Sequence, residues 1–432
     1  QRQMCIRDRV EDARKAIDAA EKAQNQWERT PSIERAAYLT KIAAGIRKRE
    51  KELTDIIVRE GGKTQGLANV EVLFTADYMD YMAGWARRYE GEIIPSDRPH
   101  ENIFLFKRPI GVTTGILPWN FPFFLVARKA APALITGNTI VIKPSQLTPE
   151  NAYVFAQIVE EAGLPAGVFN LVNGRGSVIG HELAANPKVG MVSLTGSVRA
   201  GQQTMAAAAP NITKVSLELG GKAPAIVMKD ADIDLAVKSI IASRVINTGQ
   251  VCNCAERVYV DKAIKETFME KLVAGMKQVK VGNPNEVADL DMGPLIEASA
   301  LEKKVERAIQ QGARLLCGGH RIGTKGYFFE PTVLDCVTQK MDIIQEETFG
   351  PILPVVEYSD INDAIAWAND CEYGLTSSVY TQNLDNAFKV MRSLKFGETY
   401  INRENFEARM ENIDLRIICK LKWFILRQRN KK

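Results

Sequence analysis

From Gly111 onward the chain alternates short apolar runs with stretches of helical periodicity, and this alternation restricts the fold more than any other feature. The runs cover residues 111–117, 139–142, 168–172, 189–194 and 214–219, with helical segments at 124–135, 149–162 and 198–208 between them. Strand, helix, strand at this spacing predicts a mostly parallel sheet covered by helices on both faces. Ligands of such sheets gather beyond the carboxyl ends of the strands. A second series begins near Ala225, with a helix over 233–246, a strand over 256–260 and a helix over 262–279, and predicts another α/β domain. Ahead of both, residues 10–60 carry apolar positions at helical spacing: Ala13, Ile17, Ala20 and Trp27, then Ile42, Ile46 and Leu53. Residues 92–109 hold Pro95, Asp97 and Pro99 before an alternating stretch, which reads as a projecting hairpin too short and polar to fold alone.

Charge and composition narrow the function. The net charge is +4, yet residues 408–432 hold eight Lys and Arg against Glu411 and Asp414, a net of +6, leaving −2 for the rest of the 432 residues. The body therefore lacks a basic stripe able to follow a phosphate backbone, and nucleic acid is not an expected partner. Charged residues from Arg7 to Arg14 interrupt the start of the chain, and no stretch of 18 apolar residues follows, so neither export nor a membrane span is expected. Seven cysteines without a CxxC spacing suit reduced thiols in the cytoplasm. His100, His181 and His320 are scattered away from other ligand types, and no metal site is expected.

Several short segments carry chemistry. Gly174-Arg-Gly-Ser-Val-Ile-Gly180 approximates a dinucleotide fingerprint with one residue too many; turn chemistry explains such glycines equally well. The segment Thr195-Gly-Ser-Val-Arg-Ala-Gly201 ends a strand and starts a helix, offering free N–H groups to a pyrophosphate or simply a serine cap. Lys143 closes one strand and Glu218 another, the latter followed at once by Gly220-Gly221. Cys252 sits in a loop after Asn247-Thr-Gly-Gln-Val, where it is either a nucleophile or a small buried hydrophobe.

Taken together these segments decide more than each does alone. Pro118-Trp-Asn-Phe-Pro122, Lys143-Pro-Ser145, the 196–201 loop, Leu217-Glu-Leu-Gly-Gly-Lys222, Gly249-Gln-Val-Cys252 and Glu347-Thr-Phe-Gly-Pro351 occur in the order and spacing of the aldehyde dehydrogenase superfamily, which the chain resembles from about residue 10 to 407. Residues 121–128 and 252–257 are most similar to those of lactaldehyde and glycolaldehyde dehydrogenases. The resemblance implies a Rossmann-like NAD(P)-binding domain over 1–91 and 110–219, a catalytic domain over 220–407, and an oligomerisation hairpin over 92–109. It also implies a dimer or tetramer that oxidises a small hydroxyaldehyde to the acid. By the same resemblance Cys252 is the nucleophile, the Asn120 amide with the Cys252 N–H holds the oxyanion, and Glu218 activates the water that hydrolyses the thioester. Trp119, Lys143, Ser145, Gln146, Gly196, Ser197 and Gly201 would bind the cofactor, with Glu347 and Phe349 at its nicotinamide end. Phe121, Phe124, Arg128, Asn253 and Glu407 would line the aldehyde tunnel, Arg128 being either a selector for small polar aldehydes or a surface arginine. Gln146 stands where many NAD-preferring members have Glu, so NADP is an expected alternative to NAD, with Arg199 as a partner for its phosphate.

The ends depart from the pattern. Family members continue beyond the Glu407 position into a glycine-rich stretch and a terminal strand, and the sequence from Arg409 to Lys432 shows neither; it reads as a basic tail of foreign composition or a membrane-surface segment. Residues 1–9 likewise lack the usual opening strand. An uncovered apolar surface would follow, so a cofactor-binding fragment without turnover is the alternative to an active dehydrogenase. A cysteine hydrolase is disfavoured because no histidine falls within any of the motifs.

Overall fold

The computed structural model describes residues 9–297, 300–405 and 419–427. Two compact units emerge, one of Gln1–Glu60, Ala68–Leu219 and Arg409–Lys432, the other of Gly61–Leu67 and Gly220–Ala408. Residues 61–67, which the sequence reading leaves with the first domain, belong to the second because Gly62 packs on Pro294 and Gln65 Nε2 donates to the Pro284 carbonyl at 3.4 Å.

The first unit opens with helices α1 (Val10–Arg29), α2 (Ser32–Lys48), α3 (Glu50–Gly61) and α4 (Gln65–Ala83), apart from the last residue of α3 and the first three of α4, which belong to the second unit. Ala13, Ile17, Ala20 and Trp27 of α1 recur at helical spacing and are all buried, while Glu11 and Asp12 sit in its first turn, where the helix dipole favours acids. Next come β1 (Glu92–Pro95), β2 (Glu101–Pro109), β3 (Val112–Ile116), α5 (Pro122–Ile135), β4 (Thr139–Lys143), α6 (Glu150–Glu161), β5 (Phe169–Leu171), α7 (Gly176–Ala185), β6 (Val189–Thr195), α8 (Val198–Ala208) and β7 (Lys214–Glu218). Strands β5-β4-β3-β6-β7 form one parallel sheet. Side chains alternate across it, so Ile140 and Ile142 join Ile42, Ile46, Phe123 and Phe155 on one face while Val141 joins Ile17, Val112 and Leu183 on the other. Burial on both faces is why these strands read as unbroken apolar runs.

The second unit holds β8 (Ala223–Val227), α9 (Ile233–Val245), β9 (Ala255–Asp261), α10 (Lys265–Gln278), α11 (Leu301–Gln310), β10 (Arg314–Cys317), β11 (Thr332–Asp335), α12 (Asp342–Gln345), β12 (Ile352–Tyr358), α13 (Ile361–Asn369), β13 (Thr376–Tyr380), α14 (Leu384–Ser393) and β14 (Glu398–Ile401). Its sheet runs β10-β11-β12-β9-β8-β13-β14, parallel except for β10 against β11. Again the faces alternate, with Ile226 and Tyr259 in one core and Ala225, Val227, Val258 and Val260 in the other.

The expectation of a missing terminal strand is overturned. Residues Cys419–Arg427 form β15, which pairs antiparallel with β2 from Cys419 opposite Pro109 to Arg427 opposite Glu101, completing a β1-β2-β15 sheet in the first unit. Sheet pairing is made by main-chain groups, and the run Leu-Lys-Trp-Phe-Ile-Leu is rich in residues that favour extended backbone, so the altered composition does not prevent it. The tail lacks the family glycines, yet its aromatic and aliphatic residues carry strand propensity. The expected absence of an opening strand over residues 1–9 lies, apart from Arg9, outside the described residues.

Candidate active site

In the first unit the carboxyl ends of four parallel strands collect the residues expected to face ligands. Ile116, the last residue of β3, stands beside Lys143 of β4 and Leu194 of β6 in the sheet register. Trp119 and Asn120 follow β3, Lys143 closes β4, Gly196 and Ser197 follow β6, and Glu218 closes β7 opposite Thr195. The chain leaves β3 toward β4 and β5 on one side and returns to β6 and β7 on the other. Strands β3 and β6 therefore flank the point of reversal, where open α/β sheets bind dinucleotides.

Local contacts hold these side chains. Asn120 is 7% exposed, and its Oδ1 accepts the Phe121 N–H at 3.1 Å, which makes Nδ2 the donor end of the amide. Pro122 opens α5, whose first turn is capped by the buried Glu71 of α4. One oxygen of that carboxylate accepts the N–H groups of Phe123 at 2.9 Å and Phe124 at 3.1 Å. An acid at a helix start satisfies orphan donors and meets the positive end of the dipole. Phe124 packs on Phe74, ring centroids 4.8 Å apart, and edge-on to Tyr78 at 5.5 Å. Phe121 precedes the helix, and Arg128 is half-buried along it rather than a solvated surface group.

Lys143 is buried, its Nζ donating to the Pro144 carbonyl at 2.9 Å, while Ser145 Oγ accepts the Leu147 N–H at 3.2 Å and Gln146 beside them is exposed. Ser197 caps α8 by accepting the Ala200 N–H at 3.3 Å, and the Gly196 N–H donates to the Glu218 carbonyl at 3.0 Å. A Cβ on Gly201 would meet a Leu219 methyl at 2.7 Å, so glycine lets the first turn of α8 lie close to the end of β7. A helix start, a lysine at a strand end and a closely packed turn at the reversal point fit a nicotinamide dinucleotide. By contrast Gly176 and Gly180 meet nothing within 4 Å, so packing places no demand for glycine at those two positions of the approximate fingerprint.

The second unit carries the thiol. Between α9 and β9 the backbone passes through three successive left-handed residues, Asn247 (φ 47°), Thr248 (φ 60°) and Gly249 (φ 72°). For threonine this is a strained conformation, tolerated only where the surroundings over-determine it. They do so here. Thr248 Oγ1 donates to the Gly293 carbonyl at 2.9 Å, and the buried Gln250 side chain donates to the Asn247 carbonyl at 2.9 Å while accepting the Ile296 N–H at 3.0 Å. Cys252 follows, half-buried, whereas Cys254 is fully buried with its thiol pushed up to about 11 by that burial. The environment therefore separates a solvent-reachable thiol from an inert one. The five cysteines with described side chains are all free.

Glycines bring the Glu347 loop and the thiol loop together. A Cβ on Gly221 would collide with the Cys252 carbonyl oxygen, and one on Gly220 would lie 2.5 Å from a Glu347 carboxylate oxygen. A Cβ on Gly249 would likewise stand 2.5 Å from the Gly350 backbone. Glu347 accepts the Gly221 N–H at 2.9 Å, and burial, reinforced by the neighbouring Glu256 charge, pushes its carboxyl up to about 7. Asn253 is buried, and among the described residues its Oδ1 has no hydrogen-bond partner; its carbonyl accepts Thr376 Oγ1 at 2.8 Å. Of the residues expected at the site, Glu407 alone lies outside the described residues.

Residues 5–413 match the model of the Aldehyde dehydrogenase family. The chain belongs to the aldehyde dehydrogenase family. This aldehyde dehydrogenase is 67% identical over 402 residues to the lactaldehyde dehydrogenase of Escherichia coli (strain K12), covering 92% of this chain and 84% of that one. A crystal structure of the E. coli lactaldehyde dehydrogenase superposes with a TM-score of 0.96 at 62% identity, covering 97% of this chain and 92% of that one. A structure of 3,6-anhydro-L-galactose dehydrogenase in complex with NAP superposes at 0.93 with 39% identity, with the same two coverages. No helix among the described residues is long and apolar enough to cross a membrane.

Sequence reasoning assigns no role to three buried groups, Glu71 in the first unit and Lys222 and Glu256 in the second. Charge inside the apolar strand Ala255-Glu-Arg-Val-Tyr-Val was the one available signal, since Glu256 and Arg257 are both fully buried there.

Proposed function

We propose that the protein oxidises a small hydroxyaldehyde, such as lactaldehyde or glycolaldehyde, to the carboxylic acid with NAD or NADP. The observation that carries this reading is the 67% identity over 402 residues with the E. coli lactaldehyde dehydrogenase. The Cys252 thiolate forms a bond to the aldehyde carbon, and the Asn120 amide with the Cys252 N–H holds the resulting oxyanion. Trp119, Lys143, Ser145, Gln146, Gly196, Ser197 and Gly201 hold the dinucleotide, with Glu347 and Phe349 toward its nicotinamide. A bound nicotinamide would supply the acceptor for the aldehydic hydrogen, which leaves the thiohemiacetal carbon with its bonding electron pair as the thioester forms. Glu218 then takes a proton from water, whose oxygen attacks the thioester carbon and expels the Cys252 thiolate.

Substrate size and polarity follow from the lining. Phe121 and Phe124 supply aromatic walls, the half-buried Arg128 favours polar or anionic aldehydes, and Asn253 Oδ1, unpartnered among the described residues, is an acceptor for a substrate hydroxyl. Glu407 completes the lining in the family pattern. Gln146 lacks the charge that would repel a 2′-phosphate, and the exposed Arg199 would pair with one, so both cofactors serve. The protein works as a cytoplasmic homo-oligomer, dimer or tetramer, joined through the 92–109 hairpin; light scattering on the eluting peak of a sizing column tests the assembly.

The deciding experiment follows reduced-nicotinamide formation with NAD and NADP separately, against lactaldehyde, glycolaldehyde and a long alkyl aldehyde, beside Cys252→Ala. Hydroxyaldehydes should be turned over fastest, and Cys252→Ala should show nothing. Preference for the alkyl aldehyde would overturn the substrate reading, and an NAD efficiency above that with NADP by about a hundredfold or more would overturn dual cofactor use. No observation favours the disabled-fragment alternative, because its main support, a missing terminal strand, is contradicted by β15.

A further inference from the structure

One cluster of buried charge in the second unit is not used by the mechanism. Glu256, 1% exposed, is the second residue of β9, just beyond the thiol loop. One of its carboxylate oxygens accepts Lys222 Nζ at 2.7 Å and the Thr348 N–H at 2.8 Å. The other accepts the Phe349 N–H at 2.9 Å and stands 3.1 Å from Arg244 Nη1. Lys222 Nζ reaches on to Thr348 Oγ1 at 2.9 Å, and Arg244 donates to the carbonyls of Ala255, at 2.9 Å, and Gly249 on either side of Cys252.

This arrangement does more than neutralise charge. Two successive backbone N–H groups end on one carboxylate, which fixes both peptide planes of the Thr348–Phe349 turn. Phe349 is held there at φ 52°, a conformation that a bulky residue keeps only under such constraint. A buried ion cluster adds little stability compared with well-packed apolar side chains, so the fold alone gives weak reason to keep one. Its partners here are the strand that follows the nucleophile and the loop that carries Glu347 and Phe349.

We propose that Glu256 is a positioning residue for the nicotinamide end of the site, locking the Glu347–Phe349 loop to the strand of Cys252 so that the two move as one body. The inference rests on the reading that Glu347 and Phe349 face the cofactor. A loop released from Glu256 holds the cofactor less tightly, while aldehyde contacts elsewhere are untouched.

Glu256→Asp keeps the charge but withdraws it by one methylene from the two N–H groups, and Glu256→Gln keeps the shape but drops the charge. Reduced-cofactor binding is measured by nicotinamide fluorescence on protein that elutes with the parent from a sizing column and unfolds cooperatively on heating, with the binding stoichiometry counting the competent sites. Both variants should raise the cofactor Kd by roughly tenfold to a hundredfold, the scale on which loss of an orienting outer partner acts at metal sites, with the aldehyde KM within about threefold of the parent. Should Glu256→Gln fail to fold, Lys222→Met with Glu256→Gln removes one of the two cations that faced the carboxylate, while Arg244 keeps its bonds to the Ala255 and Gly249 carbonyls, and gives the same readout. Glu347→Ala is the reference. If it leaves cofactor binding unchanged, the reading of Glu347 falls and the inference with it. If it weakens binding while the Glu256 variants bind as the parent does, the positioning role alone is overturned.

Discussion

Asn120 and Glu347 illustrate how much a single side chain's surroundings determine. Because Asn120 Oδ1 is committed to the Phe121 N–H, the amide presents its donor end, and Asn120→Ala should lower kcat by about 10²–10³ while Cys252 still reacts with iodoacetamide. Retained kcat would remove Asn120 from the oxyanion site. Glu347 titrates near 7 in the folded chain, well above an ordinary carboxyl, so the native state holds its proton more tightly than the unfolded state does. Stability therefore falls as pH rises from about 4.5 toward 7, and the full penalty, at most about 3 kcal/mol, is present above that. Glu347→Gln should match the parent in Tm near pH 5 and exceed it at pH 8; a gap that does not widen would mean the acid is not held neutral.

Elements show where local sequence suffices and where it does not. Helix α8 spans the residues that periodicity predicts, and β3, β4, β6 and β7 fall within a residue of their apolar runs, because a two-sided buried strand writes itself as a continuous apolar stretch. Helix α10 starts three residues later than expected because Asp261 Oδ1 accepts the Ala263 N–H and sets a turn first. The site motifs were legible as a pattern, but their cause was not. The Gly220-Gly221 pair is needed because Glu347 and the Cys252 carbonyl press against it, partners that lie far along the chain. Gly221→Ala should therefore cost several-fold or more in alkylation rate at Cys252 and lower Tm, whereas Gly176→Ala, with open space around it, should do neither. Glu71 and Glu256 were invisible for the same reason: each acts on backbone N–H groups of a distant segment.

At the scale of the whole molecule, the strand added late in the chain matters more than its composition suggested. Removing residues 419–432 would strip β2 of its nine-residue partner and leave its main-chain groups open, so the truncated protein should aggregate measurably faster by light scattering at equal concentration. An unchanged aggregation rate would show that β15 is dispensable. The cluster of Lys222, Arg244 and Glu256 carries a different consequence, for how such a sequence can drift over generations. Losing one member strands the others' charge in the interior, at a cost of about 3–5 kcal/mol for a broken buried pair, which can consume much of a protein's margin of stability. Replacing acid and lysine together reduces that deficit to Arg244, which still donates to the Ala255 and Gly249 carbonyls. Substitutions at Lys222 and Glu256 should therefore cost less stability together than the sum of the two singly, so the order in which they arise matters in this part of the enzyme.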